Sequence, residues 1–492
     1  MKVAIIGSGF GGLSIALRLQ SLGYEVTIFE KQNRIGGHAY QIKAHGYTFD
    51  LGPSLITAPS IIRRIFTQAG EDMDDHLELI PLDPFYRIYF HDKTYLDYSG
   101  NPEKMVREIA KFSPSDSEKY ESFMKFAKDL YKSVILDGLG SKPFLSIKDF
   151  FLSAPKLIST LSILPAYLRV KQYFKDEKIR FTFSFHPLFI GGSPFLSPAL
   201  YLMIPFLERE EGVWFTKGGM YSVVEKLGEL FEKKGGKIKV GEEVEEIVIE
   251  DKTARSIRTN KGTYDFDIVI SNAHIYHTNT ELLASSKLKH WDKKKLNKAK
   301  YSMSTFLIYL GVKKKYDKLQ HHTLILSERY KGLVDEIFSE TTLPDDFSMY
   351  LHVPSKTDEG MAPAGCESMY VLIPVPNLNA NVDWLQEKDR YTEKILDFLE
   401  NEFGLDDLRS NIEYLSVFTP DDFQDQRNNH LGAAWSLQPT LFQSANFRPP
   451  NRSKDIRNLY YVGASTHPGG GVPGVMLSAE VTEKLIRQEY PL

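Results

Sequence analysis

The chain has 492 residues, of which 42% are hydrophobic and 25% are charged, and its formal net charge at pH 7 is −4. This length exceeds that of one hydrophobic core and predicts two or three domains, and the charge excludes the strongly basic footprint of a nucleic-acid-binding protein. The single cysteine, Cys366, excludes internal disulfides and cysteine-based metal sites.

The first predicted element is a dinucleotide-binding fingerprint. Residues 3–6 form a continuous apolar run typical of a strand in a parallel sheet, and a helical pattern over residues 13–19 follows a glycine-rich turn. Glycines in such a turn allow the backbone to approach a pyrophosphate and the helix to pack closely on the strand. The residues of the turn expected to bind the cofactor are Gly7, Ser8, Gly9, Phe10, Gly11 and Gly12.

A second predicted strand over residues 25–29 ends at Glu30 and Lys31, which are also expected to contact the cofactor. A carboxylate at this position accepts hydrogen bonds from both hydroxyls of a ribose and disfavours a 2′-phosphate, so NADP is not expected. An Arg-x-Gly-Gly step and an Asp-Leu-Gly-Pro-Ser step follow. They add Gly36, Gly37, His38, Gly52, Pro53 and Ser54 to the expected cofactor site.

The segment from residue 181 to residue 207 contains no Asp, Glu, Lys or Arg and is rich in aromatic residues. Its length would suit a membrane span, but four prolines and a Gly-Gly pair argue against one continuous helix. Two interpretations remain open: broken helices in an ordinary core, or a tunnel for a long apolar molecule. The expected tunnel residues are Phe181, Phe185, Phe189, Phe195 and Tyr201.

A predicted helix over residues 223–231 and strands over 237–240, 244–249, 254–259 and 266–270 follow. Near the C-terminus, a strand over residues 459–462 leads through a glycine-rich loop into a helix that begins near Pro473. A helix start presents free N–H groups and a positive dipole end to an anion. Two such sites near opposite ends of the chain predict one long cofactor, and FAD fits that description. The expected contacts here are Gly463, Val472, Pro473, Gly474, Val475 and Met476. The backbone N–H groups of Val475 and Met476 are expected to face the pyrimidine side of the flavin.

Together these steps resemble the bacterial-type phytoene desaturases, which are carotenoid desaturases of the amine oxidase-like flavoprotein superfamily. The resemblance covers essentially the whole chain and is most specific over residues 50–54, 183–187, 207–210 and 463–476. One departure is His38, because the family often has Arg at this position. The resemblance also implies that the strand near Val244 holds the adenine through its backbone.

The implied fold class is α/β (α+β), with a Rossmann-like FAD-binding domain and inserted helical and β-sheet substrate domains. The FAD-binding domain would combine residues 1–80, 212–280 and 455–492. Residues 81–211 would form a mainly helical region for substrate and membrane contact. Residues 281–454 would form an α+β substrate domain.

The implied activity is the FAD-dependent desaturation of phytoene, or a close precursor, to a more conjugated carotene such as lycopene or neurosporene. The implied partners are a long apolar polyene, a membrane surface, and a quinone or oxygen as electron acceptor. A carotenoid isomerase or terminal-methyl oxidase remains an alternative within enzymes. A lipid-carrying escort protein on the same fold is the alternative outside them.

No catalytic dyad is recognisable, and the histidines, including the His321-His322 pair and His352, are not spaced as metal ligands, so no metal is expected. By resemblance, Asp149 is the candidate to accept or relay a proton. Apolar stretches over residues 150–152 and 157–168 have basic flanks, which is typical of a segment lying in a membrane interface. The chain enters its first strand directly, which predicts no signal peptide and a cytoplasmic location with peripheral membrane association.

Overall fold

The computed structural model describes residues 1–143, 162–339 and 342–492. A five-stranded parallel sheet combines strands from three separate parts of the chain. Its strands, in spatial order, are Leu459–Tyr461, Ile268–Ser271, Lys2–Ile6, Glu25–Glu30 and Lys237–Val240. In the central strands Ile268–Ser271 and Lys2–Ile6 the apolar residues are buried on both faces, whereas the edge strand Lys237–Val240 is partly exposed.

The helix Phe10–Ser21 follows the first strand and packs against two other helices, Tyr221–Lys233 and Val472–Glu489. The helix Tyr221–Lys233 buries the face predicted from its periodicity, which consists of Val223, Val224, Leu227, Leu230 and Phe231. The predicted Rossmann-like arrangement is therefore confirmed.

Beside this sheet, a three-stranded antiparallel sheet is formed by Val244–Glu250, Thr253–Thr259 and Gly262–Asp265. The sequence predicted the first two strands and missed the third. Gly262–Asp265 is an edge strand with mostly exposed residues, so it lacks the alternation of apolar and polar residues that identifies a half-buried strand. Two smaller antiparallel pairs join Gln41–Ala44 with Tyr47–Asp50 and Leu79–Pro81 with Trp214–Thr216.

A seven-stranded sheet forms the second large layer. Its strands, in spatial order, are Ile412–Phe418, Ser304–Val312, Glu367–Val375, Met349–His352, His322–Ile325, Tyr86–Tyr89 and Tyr95–Tyr98. All nine residues of Ser304–Val312 are buried, which identifies it as an interior strand. The last two strands come from residues 81–211, where the sequence predicted mainly helix.

The other α-helices of the described residues are mostly short and connect the strands of these sheets. They are Pro59–Gln68, Pro102–Ala110, Pro114–Ser117, Tyr120–Tyr131, Ala166–Val170, Glu177–Ser184, Ile204–Glu211, Ile275–His277, Lys293–Lys298, Tyr330–Ser339, Trp384–Asp397 and Pro420–Arg427. The uncharged stretch from 181 to 207 is broken, as its prolines predicted: 3-10 turns at His186–Ile190 and Ala199–Met203 separate two of these helices. In the part of the chain that the structure describes, no helix is both long and apolar enough to cross a bilayer.

Candidate functional site

The N-terminal glycine turn joins the strand Lys2–Ile6 to the helix Phe10–Ser21. Gly7 has a φ of +92°, a conformation that favours glycine. A Cβ on Gly12 would lie 2.1 Å from the carbonyl oxygen of Gly7, so the helix can pack on the turn only because Gly12 lacks a side chain. No side chain caps the helix at Gly9, and its first N–H groups are available to a ligand.

Glu30 lies beside this turn at the end of the second strand and is 6% exposed. One carboxylate oxygen accepts hydrogen bonds from the Ser8 N–H (2.9 Å) and the Ser8 hydroxyl (2.6 Å). The other accepts one from the Gln32 N–H (2.9 Å). These bonds hold the charged carboxylate at the wall of the cavity, where it can accept hydrogen bonds from a diol. The neighbouring Lys31 side chain donates to the side-chain oxygen of Asn428 at 2.8 Å.

A second loop approaches the glycine turn closely. A Cβ on Gly37, whose φ is +60°, would lie 2.9 Å from the Cα of Gly9. The Nε2 atom of His38 is 3.3 Å from the Asn429 side-chain oxygen, and burial lowers the pKa of His38 to about 4. The ring is therefore neutral at pH 7. A Cβ on Gly52 would lie 2.3 Å from the His38 carbonyl oxygen, so this loop also depends on glycine for its close packing.

The C-terminal loop completes this part of the site. It runs from the strand Leu459–Tyr461 to the helix Val472–Glu489. The prediction that the Val475 N–H faces the cofactor is wrong: it donates to the Gly471 carbonyl oxygen at 2.9 Å. The helix begins one residue earlier than predicted, so Val475 already makes the first intrahelical bond and the free N–H groups belong to Val472 and Gly474. Met476 is buried and does not reach the cavity.

The side chain of Arg448, which the sequence did not indicate, holds this loop in place. Arg448 is 2% exposed and donates to the carbonyl oxygens of Ala464 (2.6 Å), Thr466 (3.1 Å), Leu437 (3.1 Å) and Gln443 (3.2 Å). Among the described residues it has no carboxylate partner, and burial lowers its pKa to about 10. The guanidinium therefore remains charged at pH 7 and fixes the loop beside the cavity.

One cavity of about 540 Å³ extends from the glycine turn into an apolar region. Most of the expected cofactor residues line it, namely Gly7, Ser8, Gly9, Phe10, Gly11, Glu30, Lys31, Gly36, Gly37, His38, Gly52, Pro53, Ser54, Val244, Gly463, Val472, Pro473, Gly474 and Val475. Gly12 and Met476 do not. The structure therefore brings residues from both ends of the chain to one site.

The apolar region of the cavity includes three of the five expected tunnel residues, Phe185, Phe189 and Tyr201. Phe181 and Phe195 do not line the cavity. Their rings pack at 4.6 Å and 6.3 Å, between centroids, from the ring of Tyr330, which does line it. Other apolar lining residues include Leu188, Ile190, Met203, Leu207, Leu324, Leu326, Met349 and Leu372.

Three histidines that the sequence did not connect meet behind this wall. His322 and His352 are paired in register on neighbouring strands, and one ring nitrogen of each of His321, His322 and His352 lies within 4.8 Å of the others. Burial lowers the pKa of all three, so they are neutral at pH 7. His322 Nδ1 is 2.6 Å from the Tyr350 hydroxyl, which lies 2.8 Å from Ser54 Oγ at the cavity wall.

A carboxylate also reaches the apolar region. Glu208 lines the cavity, and its Oε2 atom is 3.2 Å from Nε2 of His186; both side chains are 0% exposed. The sequence did not indicate this pair. The two residues are 22 positions apart and meet only because the intervening helices fold back. Asp149, the candidate named from resemblance, lies outside the described residues, as do residues 150–152 and the 157–168 stretch up to residue 161.

The residues at the polar end of the cavity fit FAD. Side chains are excluded where the backbone must meet a pyrophosphate, and a Cβ on Gly11, for example, would lie 2.5 Å from the Asn272 side-chain oxygen. Glu30 is positioned for a ribose, and uncapped helix starts at Gly9 and Gly471 face the same cavity. This donor set suits a long ligand with anionic and diol groups.

Comparisons with known proteins agree with this geometry. The model of the family described as flavin containing amine oxidoreductase matches residues 10–481. The chain is 41% identical to a lycopene-forming phytoene desaturase of Pseudescherichia vulneris and 40% identical to one of Pantoea ananas, each over 99% of both chains. An oxidoreductase structure from Methanosarcina mazei, 19% identical, aligns with a TM-score of 0.67 over 98% of this chain and 100% of its own and shows the shared fold.

The family model matches most of the chain, and the relatives are similar over their full length. Both findings agree with the FAD site described above. The chain belongs to the flavin-containing amine oxidoreductases and, within them, to the bacterial-type phytoene desaturases, which are FAD-dependent oxidoreductases.

Proposed function

We propose that this enzyme desaturates phytoene to a more conjugated carotene such as lycopene or neurosporene. The observation that carries the proposal is the single cavity, in which a dinucleotide-binding end continues into an apolar region lined by Phe185, Phe189 and Tyr201. The full-length similarity to lycopene-forming desaturases supports the same substrate and disfavours an isomerase, a methyl oxidase or a carrier.

When bound, FAD would supply the hydride acceptor for each desaturation, and a quinone or oxygen would be the final electron acceptor. The protein holds FAD through the glycine turn, Glu30 and the loop fixed by Arg448. A hydrocarbon offers no hydrogen bonds, so the apolar lining must orient it by shape and by burial of its surface, worth roughly 25 cal/mol per Å². The same lining excludes water from the reacting carbons.

In this proposal residues 1–80, 212–280 and 455–492 hold FAD, and residues 81–211 and 281–454 build the substrate site. The five-stranded parallel sheet draws its strands from the first set, and the seven-stranded sheet from the second. The strands Tyr86–Tyr89 and Tyr95–Tyr98 join the two substrate segments into one sheet.

The test is product analysis after expression in a host that makes phytoene and no desaturated carotene. Wild-type protein is expected to give a carotene with a longer chromophore. The matched control is Gly9→Val, which should fold but lose FAD, because a branched side chain would occupy the cavity wall at the glycine turn. Products with rearranged double bonds only, or oxidised methyl groups, would overturn the proposal in favour of an isomerase or a methyl oxidase.

We further propose that the enzyme collects its substrate from a membrane surface. Ile163 and Leu168 are 41% and 49% exposed. Two basic residues, Arg169 and Lys171, come shortly after Leu168 in the chain. Exposed apolar residues beside basic ones suit the interface of an anionic bilayer.

The membrane proposal is tested by sedimentation with vesicles of phosphatidylcholine and phosphatidylglycerol. The double variant Ile163→Asp, Leu168→Asp should bind vesicles more weakly while its FAD absorbance is unchanged. Leu385→Asp is the matched control, because Leu385 is 91% exposed on a different helix. Equal sedimentation of the double variant and wild type would refute this part of the proposal.

A further inference from the structure

Glu208 is unusual because it places a carboxylate in the wall of an apolar cavity. Its Oε2 atom is 3.2 Å from His186 Nε2, and its Oε1 atom is also buried. A carboxyl group in an apolar wall is costly to bury, and its contacts with His186 and Tyr86 offset only part of that cost. The other acidic and basic residues that line the cavity are Glu30, Lys31, Glu243 and Arg427.

The surroundings of Glu208 fix its position. His186 is 0% exposed, and its ring stacks on Phe185, at 4.2 Å between centroids, which restrains the imidazole beside the carboxylate. The buried hydroxyl of Tyr86 interacts with Glu208. Burial raises the pKa of Tyr86 well above its ordinary value, and the charge of Glu208 and a side-chain hydrogen bond to it act in the same direction. Tyr86 therefore stays protonated beside Glu208.

Desaturation needs a proton acceptor at this kind of position. When a hydride leaves one carbon for the cofactor, both electrons of that C–H bond leave with it, and the substrate becomes a cation. The adjacent carbon must then lose a proton, and the electron pair of its C–H bond becomes the second bond of the new C=C. In an apolar cavity, a carboxylate in the wall is the natural recipient.

We propose that Glu208 is the catalytic residue that stabilises the cationic substrate and accepts its proton at Oε1. His186 is a positioning residue that donates from Nε2 to the other carboxylate oxygen. The proton leaves the carboxyl when the product departs and water enters the cavity. This inference rests on the proposed function, because it assumes a polyene in the apolar region.

The first test measures binding of a cation mimic. N,N-dimethylgeranylgeranylamine carries a positive charge on an isoprenoid chain, and geranylgeranyl methyl ether is its uncharged analogue. FAD-loaded wild type should bind the amine at least about tenfold more tightly than the ether, because analogues of a charged intermediate bind where its charge is stabilised. Binding is followed by the change in flavin absorbance.

Glu208→Gln should lose this preference, since the amide keeps the shape and can still accept from His186 but carries no charge. His186→Phe should reduce the preference while retaining the stacking on Phe185. Glu210→Gln is the matched control, because Glu210 is exposed on the same helix. All three variants should keep full FAD occupancy.

The second test mixes each FAD-loaded variant with phytoene in vesicles without oxygen and follows flavin reduction. Glu208→Gln should slow this step about 100-fold or more, the range for loss of a general base, and Glu210→Gln should not. A Glu208→Gln variant that keeps the amine preference and the wild-type rate overturns the inference and leaves the proposed function intact. If wild type itself does not desaturate phytoene, the proposed function fails, and the amine comparison still tests the charge at Glu208.

Discussion

A series of three Gly→Ala substitutions tests the close contact of the helix Phe10–Ser21 with the glycine turn. Gly12 lies at that contact, and Gly228 and Gly332 lie in other helices, where the same added methyl meets different surroundings. In Gly12→Ala the new Cβ would lie 2.1 Å from the backbone oxygen of Gly7, more than 1 Å inside normal contact. Neither atom can rotate away, so the helix Phe10–Ser21 must move off the turn. Overpacking of this kind typically costs about 1–3 kcal/mol, and with rigid backbone on both sides we expect a loss of about 3 kcal/mol or more.

At the other two positions, we expect a different change in the free energy of unfolding. In Gly228→Ala the Cβ would lie 2.5 Å from Cδ1 of Ile35, the movable end of a side chain, so strain and improved helix propensity should nearly cancel. In Gly332→Ala the nearest atoms are 3.9 Å and 4.0 Å away on Arg329, and helix propensity should stabilise the protein by about 0.5–1 kcal/mol.

The assay is urea unfolding of FAD-loaded protein, followed by flavin fluorescence and circular dichroism. We expect the order Gly332→Ala, Gly228→Ala, Gly12→Ala from most to least stable. Gly12 does not line the cavity, so any loss of FAD in its variant must come from displacement of the turn. A Gly12→Ala protein as stable as wild type would refute the idea that helix and turn are in unavoidable contact.

Three further predictions follow from individual sites. Gly9→Val should purify without FAD, and full flavin absorbance in that variant would show that the cofactor is not held at this turn. Burial raises the pKa of Asp50 from 3.8 to about 6, so its ionisation destabilises the folded protein as pH rises through this range. Asp50→Asn should therefore stabilise the protein at pH 7 by up to about 3 kcal/mol and have no effect below the ordinary pKa, as measured by urea unfolding at both pH values. His321, His322 and His352 have lowered pKa values, so the unfolded chain binds their protons first as pH falls below about 6.5. These three groups together contribute about 4 kcal/mol per pH unit, and the lowered pKa values of His38, His274, His277, His430 and His467 act in the same direction. In the Asp50→Asn background, the free energy of unfolding should therefore fall by at least about 4 kcal/mol per pH unit well below that point, and a flat profile between pH 7 and 5 would contradict the neutral buried cluster.

Local sequence determined the cofactor end of this protein. The strand Lys2–Ile6, the turn after it and the helix Phe10–Ser21 follow from an apolar run, glycines at fixed spacing and helical periodicity, each of which acts over a few neighbouring residues. The C-terminal helix was predicted for the same reason, although its start lies at Val472 and not Pro473. Because of that single-residue difference, the Val475 N–H is bonded within the helix, and the backbone N–H groups available to a ligand are those of Val472 and Gly474.

The tertiary structure alone decided which side chains share the apolar cavity. Phe185 and Phe189 line it while Phe181 and Phe195 pack behind Tyr330, and the sequence treats all four alike. Broken helices have no fixed periodicity, so the direction of each ring depends on the elements packed against it.

Long-range pairing is the second thing that the sequence could not supply. His322 meets His352 through strand register, and Glu208 meets His186 through the return of a chain segment. Strand register is set by the hydrophobic pattern of a whole sheet and by its turns, not by the residues that end up in contact. The sequence therefore determined the family, the cofactor and the local elements, whereas the polar groups that face the substrate were decided by how distant elements pack.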